Sequence, residues 1–107
     1  MVNRFDVFLV NLDSEASTDA KNTRPCVVIS PDELNHNIQN VIIAPLSSAS
    51  TALYPTRVQV NFLNSPRSVV LDQIRTVDKI RLVKKIGEID EAARKKTLDR
   101  LHELFAE

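Results

Sequence analysis

Few residues in this chain can do chemistry, and most of those stand alone. Cys26 has no second cysteine, and His36 and His102 lie far apart in the sequence. Neither offers the clustered ligand spacing of a metal site, so no metal and no cofactor is expected. The residue types of a Ser–His–Asp triad occur, but no sharp glycine turn presents a serine as nucleophile. A single glycine in the whole chain also leaves no loop to cradle a phosphate. Two short stretches remain. In "NTRPCVVIS" (22–30), Pro25 stiffens the backbone and pushes Arg24 into an extended conformation, immediately ahead of an apolar, strand-forming run. In "APLSSAS" (44–50), Pro45 leaves Ser47 and Ser48 where a strand becomes a loop. A guanidinium beside a hydroxyl suits a phosphodiester. Attack of an RNA 2′-hydroxyl on its neighbouring phosphorus builds charge on non-bridging oxygens, and these two donors meet that charge without a metal. The plainer alternatives are an arginine that pairs with a carboxylate and serines that merely form a turn. Spacing alone permits Arg24 and Ser47 to meet but does not require it.

The rest of the chain must position these groups. Its 107 residues suit one domain, 1–107, with one core. Hydrophobic residues make up 43% and charged residues 26%, as in an ordinary soluble protein. No apolar run reaches the length of a membrane span, and "MVNRFDVFLV" lacks the order of a signal peptide. With one cysteine no internal disulfide can form, so a reducing cytoplasm is the expected compartment. Cys26 itself reads as a small core residue. A net charge of zero argues against a generic nucleic-acid binder. The charge is nevertheless uneven: "RTVDKIRLVKK" (75–85) gathers Arg75, Lys79, Arg81, Lys84 and Lys85 against Asp78 alone. That stretch can meet phosphates, although charge by itself favours a solvated face.

Along the chain, "FDVFLVNL" (5–12) reads as a first strand and 13–23 as a long exposed polar loop. A second strand is expected over 25–30, then one helical turn in "SPDELNHN" with Ser30 as its cap and Pro31 opening it. "NVIIAPLSS" (40–48) predicts a third strand broken at Pro45. "TRVQVNF" (56–62) alternates as a half-buried strand does. "NSPR" (64–67) has the composition of a turn, "SVVLDQI" (68–74) is β-rich, and "VDKIRL" predicts a helical turn before a last strand at 83–89. Asp90 occupies an N-cap position. From there Ala93, Thr97, Leu98, Leu101, Leu104 and Phe105 recur at helical spacing on one apolar face. The expected architecture is mainly β, a small antiparallel barrel with short helices and a C-terminal helix.

The run of "TRPCVVIS", "VIIAPLSS", "YPTRVQV" and "VVLDQIRTVDKIRLVKKIGEID" resembles the MazF/PemK family of toxin endoribonucleases over nearly the whole chain. The resemblance implies an SH3-like β-barrel, usually a homodimer, that cuts single-stranded RNA, often mRNA, without a metal and leaves a 2′,3′-cyclic phosphate and a 5′-hydroxyl. It also implies a cognate antitoxin whose acidic tail threads along the RNA groove. Carried over by position, Arg24 and Ser47 are the implied catalytic pair, with serine where threonine is commoner. Ser48 beside that hydroxyl and the basic residues Arg75, Lys79, Arg81, Lys84 and Lys85 are the expected RNA-binding residues, on their chemistry rather than on a family position. Two positions depart from the family pattern. The first strand opens Phe5-Asp6 rather than Gly-Asp, and the loop before Arg24 offers Asp19 where a glutamate after a glycine is usual. Two other readings stand beside this one. The CcdB branch of the same fold poisons gyrase, but it relies on a C-terminal tail with bulky aromatics, whereas this chain ends "LHELFAE" and has no Trp. An inactive barrel that only binds its partner is the third.

Overall fold

The computed structural model describes residues 1–12, 23–48 and 55–106. Seven strands and two helices follow in order: β1 (Asp6–Asn11), β2 (Thr23–Val28), α1 (Asp32–Asn35), β3 (Asn40–Ser47), β4 (Arg57–Phe62), β5 (Ser65–Val70), β6 (Arg75–Asp78), β7 (Leu82–Glu88) and α2 (Glu91–Phe105). Short 3-10 turns at Leu71–Gln73 and Lys79–Arg81 flank β6. All pairings are antiparallel, in the order β4-β5-β3-β2-β1-β7. β3 is the strand on which the two halves turn. Its start pairs with β6, its middle with β2 and its last two residues with β5. The sheet therefore coils into a half-barrel.

Period-two alternation gives this sheet an apolar layer on each side. Val7, Val27, Ala44, Leu46, Val58, Val69 and Leu71 fill the inside of the half-barrel with Phe62 and Ile89. Val10, Cys26, Val28, Val41, Ile43 and Val77 form a second buried cluster on the other face of β1, β2 and β3. Arg24 shares its face with Cys26 and Val28, so the strand that carries the guanidinium is anchored in the second cluster.

Several expectations shift by a few residues, each for a local reason. Pro45 does not break β3, because its neighbouring residues still pair on both sides. The turn between β4 and β5 is Leu63–Asn64, with φ of 51° and 62°, the pair of positive values a tight two-residue hairpin requires. Ser65, Pro66 and Arg67 are thus strand rather than turn. Arg75–Asp78 is strand as well, and only 79–81 makes the helical turn. Ser30 does not cap α1. Its hydroxyl donates to Asn35 Oδ1 at 2.5 Å and accepts from the Ile42 amide at 3.0 Å, tying α1 to β3. Asp90 does cap α2, accepting from the Ala93 amide at 2.8 Å. The apolar face of α2 is covered only in part. Ala93 and Thr97 are buried and Leu101 packs on the core, whereas Leu98, Leu104 and Phe105 remain exposed.

Phe5 holds a φ of 74°, a region that suits glycine. Its amide donates to Val28 O at 2.7 Å and its carbonyl accepts from the Ile89 amide at 3.2 Å. The ring is buried, with the Arg4 and Arg94 guanidinium carbons 5.5 and 5.7 Å from its centre. Cation–π contact and burial offset the backbone strain. Next to it, the buried Asp6 carboxylate accepts from the Asn3 amide at 2.9 Å and pairs with Lys85 Nζ at 3.2 Å.

Gly87 has a φ of +154°, and a Cβ built there would stand 3.0 Å from two carbons of the Phe62 ring. Gly87→Ala is expected to lower stability by about 1–3 kcal/mol, since backbone and packing both resist the methyl. A urea titration checks this through a lower midpoint at unchanged slope.

Candidate active site

β2 and β3 are held together by only three residue pairs, Val28↔Ile43, Val27↔Ala44 and Cys26↔Pro45. Pro45 stands in the last pair and Pro25 directly beyond it, and neither can donate to a ladder. The strands part there. Carried two residues further, the same register sets Arg24 opposite Ser47. The gap is a cleft of about 440 Å³ with Arg24, Pro25, Pro45, Ser47 and Ser48 along its walls. Ser47 also pairs with Ser68 of β5, so its backbone is held on the far side.

Arg24 pairs with no carboxylate among the described residues. Its side chain is exposed and has no ion pair or hydrogen bond among the described residues. Below it lies Cys26, whose thiol is buried and rests 3.6 Å from the Arg24 carbonyl oxygen. Burial pushes that thiol up to about 12, against the charges of Arg75 and Arg24, which pull the other way. The thiol therefore stays protonated in the folded chain, while an unfolded one titrates near 9.0. Cys26 should accordingly react with Ellman's reagent at pH 8 far more slowly in the native than in the urea-unfolded protein. Its contribution to stability is full below pH 9 and falls as the pH rises toward 12.

The family model for PemK-like, MazF-like toxins of type II toxin–antitoxin systems matches residues 3–105. The chain belongs to this family. Among curated relatives, the endoribonuclease MazF of Staphylococcus epidermidis is 32% identical over 97 residues, covering 86% of this chain and 81% of that protein. Two solved structures show the same fold. One is an endoribonuclease in complex with its cognate antitoxin from a mycobacterial species, with a TM-score of 0.80 at 21% identity, covering 96% of this chain and 93% of that one. The other is a MazE–MazF crystal structure from Deinococcus radiodurans, with a TM-score of 0.79 at 20% identity, covering 98% and 95%.

In this MazF-like chain the basic stretch 75–85 is not one patch. Arg75 pairs in register with Ile43 and is near enough for its charge to act on Cys26, as Arg24 does. Lys79 Nζ donates to the Asn35 carbonyl, Arg81 Nη1 to the Asn11 carbonyl at 3.3 Å, and Lys85 pairs with Asp6. Lys84 is exposed on β7, opposite Leu9. Asp19 lies outside the described residues. His36 braces the N-terminal segment, with Nε2 2.9 Å from Asn3 Oδ1, and His102 is exposed near the end of α2.

Three cleft residues escaped the sequence reading: Arg57, Arg67 and Gln73. Arg57 begins a strand whose outward positions look merely solvated, and its Nε stands 3.6 Å from Asp72 Oδ1. Arg67 was hidden in a tetrapeptide with turn composition. Gln73 sits in the 3-10 turn that joins β5 to β6 along β3.

Among the described residues, no three of His, Cys, Asp and Glu stand together as metal ligands would. No helix there is long and apolar enough to cross a membrane.

Proposed function

We propose that this chain, an endoribonuclease toxin of the MazF-like family, cuts single-stranded RNA in the cleft between β2 and β3. The observation that carries the proposal is that Arg24 and Ser47 line one cleft, just past the end of the β2–β3 ladder. The 2′-hydroxyl gives up its proton to water as its oxygen attacks the adjacent phosphorus, the P–O5′ bond breaks, the departing 5′-oxygen takes a proton from water, and the products are a 2′,3′-cyclic phosphate and a 5′-hydroxyl. The Arg24 guanidinium donates to the non-bridging oxygens as their charge grows, and the Ser47 hydroxyl donates a further hydrogen bond. The part of Arg24 is electrostatic, a planar fork of donors aimed at two phosphate oxygens. Ser48 and Arg75 support the neighbouring backbone. Lys79, Arg81, Lys84 and Lys85 add positive potential, the first two and Lys85 from side chains already engaged with their own chain.

The assembly follows the same line. Two copies share the RNA-binding face, and a cognate antitoxin with an acidic tail occupies the groove in place of RNA. Solved relatives in complex with antitoxins support this reading. The CcdB-like gyrase poison is disfavoured by the family match.

Incubation of the pure protein with a mixed-sequence RNA in EDTA tests the chemistry. Cleavage is expected to proceed, the products are expected to carry cyclic phosphate ends, and DNA of the same sequence is expected to survive. Cleavage that EDTA abolishes and magnesium restores would reject the mechanism.

A further inference from the structure

Arg67 is the cleft guanidinium that the proposed chemistry leaves unused. Its Nε is buried and has no hydrogen-bond partner, and no carboxylate pairs with it among the described residues. Arg57 on the neighbouring strand differs, since Asp72 stands beside its Nε. A charged donor shielded from water without an acceptor is costly, and an anionic acceptor arriving with a ligand removes that cost. The location of Arg67 says which ligand. It lines the cleft of Arg24 and Ser47, and it also lines a second hollow of about 370 Å³ between β4, β5 and the start of α2. Among the described residues, no other lines both. In that hollow Gln59, Asn61 and Lys96 stand beside it, while the Asp90 carboxylate is engaged by the Ala93 amide.

We propose that Arg67 binds a backbone phosphate flanking the scissile one, at the point where an RNA strand leaves the cleft and crosses toward the second hollow. This rests on reading the cleft as the RNA site. A guanidinium can take two phosphate oxygens at once, and from this ridge it reaches a strand that Arg24 already holds. Lys96 continues the positive path beyond it. Arg67 is thus an affinity and positioning residue, not a catalytic one.

The test uses a fluorescein-labelled, mixed-sequence single-stranded RNA made uncleavable by 2′-fluoro substitution. Anisotropy titrations over a range of salt compare the wild type with Arg67→Gln and Arg67→Lys. Arg67→Gln is expected to bind about tenfold more weakly. The slope of log affinity against log salt is expected to shrink by about 0.7, the share of one phosphate contact on a single strand. Arg67→Lys should keep the slope. Thermal melts of both variants should match the wild type, because no partner inside the protein is lost. With cleavable RNA, Arg67→Gln should raise KM and leave kcat unchanged. Unchanged affinity and slope in Arg67→Gln, in a protein whose wild type binds and cuts RNA, overturns this inference alone. A lowered melting point with an unchanged slope makes the residue structural and overturns it as well. So does a loss confined to an acidic antitoxin-tail peptide. Wild-type protein that binds no RNA overturns the cleft assignment and this inference together.

Discussion

Arg24→Lys should slow RNA cleavage by about a hundredfold or more while leaving the melting curve where it was. The charge survives this substitution, so a role in general electrostatic attraction would survive with it. What lysine loses is the planar fork, which presents two parallel donors to two phosphate oxygens from a fixed position. The fixed position comes from β2. Cys26, Val27 and Val28 are fully buried, and Pro25 restricts the backbone directly after Arg24. The fold should not notice the change, because the Arg24 side chain is exposed and unpaired among the described residues. Initial rates on a fluorogenic RNA, read beside thermal melts, check both halves. A lysine variant with near-wild-type rates would remove Arg24 from the chemistry.

Ser47→Ala comes next in size, with an expected loss of about a hundredfold, the typical effect of deleting one donor to a developing oxyanion. Ser47→Thr should remain active because it keeps the hydroxyl on the same strand position. Ser48→Ala serves as the register control and should cost much less, since Ser48 lies one residue past the end of β3, while the register of β2 and β3 sets Ser47 opposite Arg24. Single-turnover rates separate the outcomes. If Ser48→Ala does the damage and Ser47→Ala does not, the hydroxyl has been placed one residue too early.

How far these assignments could be read in advance depends on what each residue needs. The strand before Pro45, the alternating "TRVQVNF" run, the Asp90 cap and the start of α2 are local matters, and they appear where local patterns put them. The long polar stretch with Asp19 lies outside the described residues and adds nothing either way. Other features needed a partner strand. Composition made "NSPR" a turn, but pairing with β4 extends the hairpin to Phe62↔Ser65 and puts Arg67 into the sheet. The apolar face of α2 was periodic to its end, yet the half-barrel covers Ala93, Thr97 and Leu101 and leaves Leu98, Leu104 and Phe105 exposed.

The site divides the same way. That Arg24 would be stiff and extended follows from the proline after it, and that Ser47 would end a strand follows from its place in "APLSS", both local consequences of covalent geometry. Their placement along one cleft is not local. It required antiparallel pairing of Cys26 with Pro45, a register in which two residues without amide donors fall at the end of one ladder and open it. The basic run 75–85 needed the fold still more. Adjacent in sequence, its residues are dispersed by a strand, a 3-10 turn and another strand, so Arg75 lies near Cys26 while Lys79 is bound to α1 and Arg81 and Lys85 to the two ends of β1. Residue type and spacing carry the chemistry that a group can perform. Which groups act together depends on strand register and on burial, and both arise only when distant segments pack.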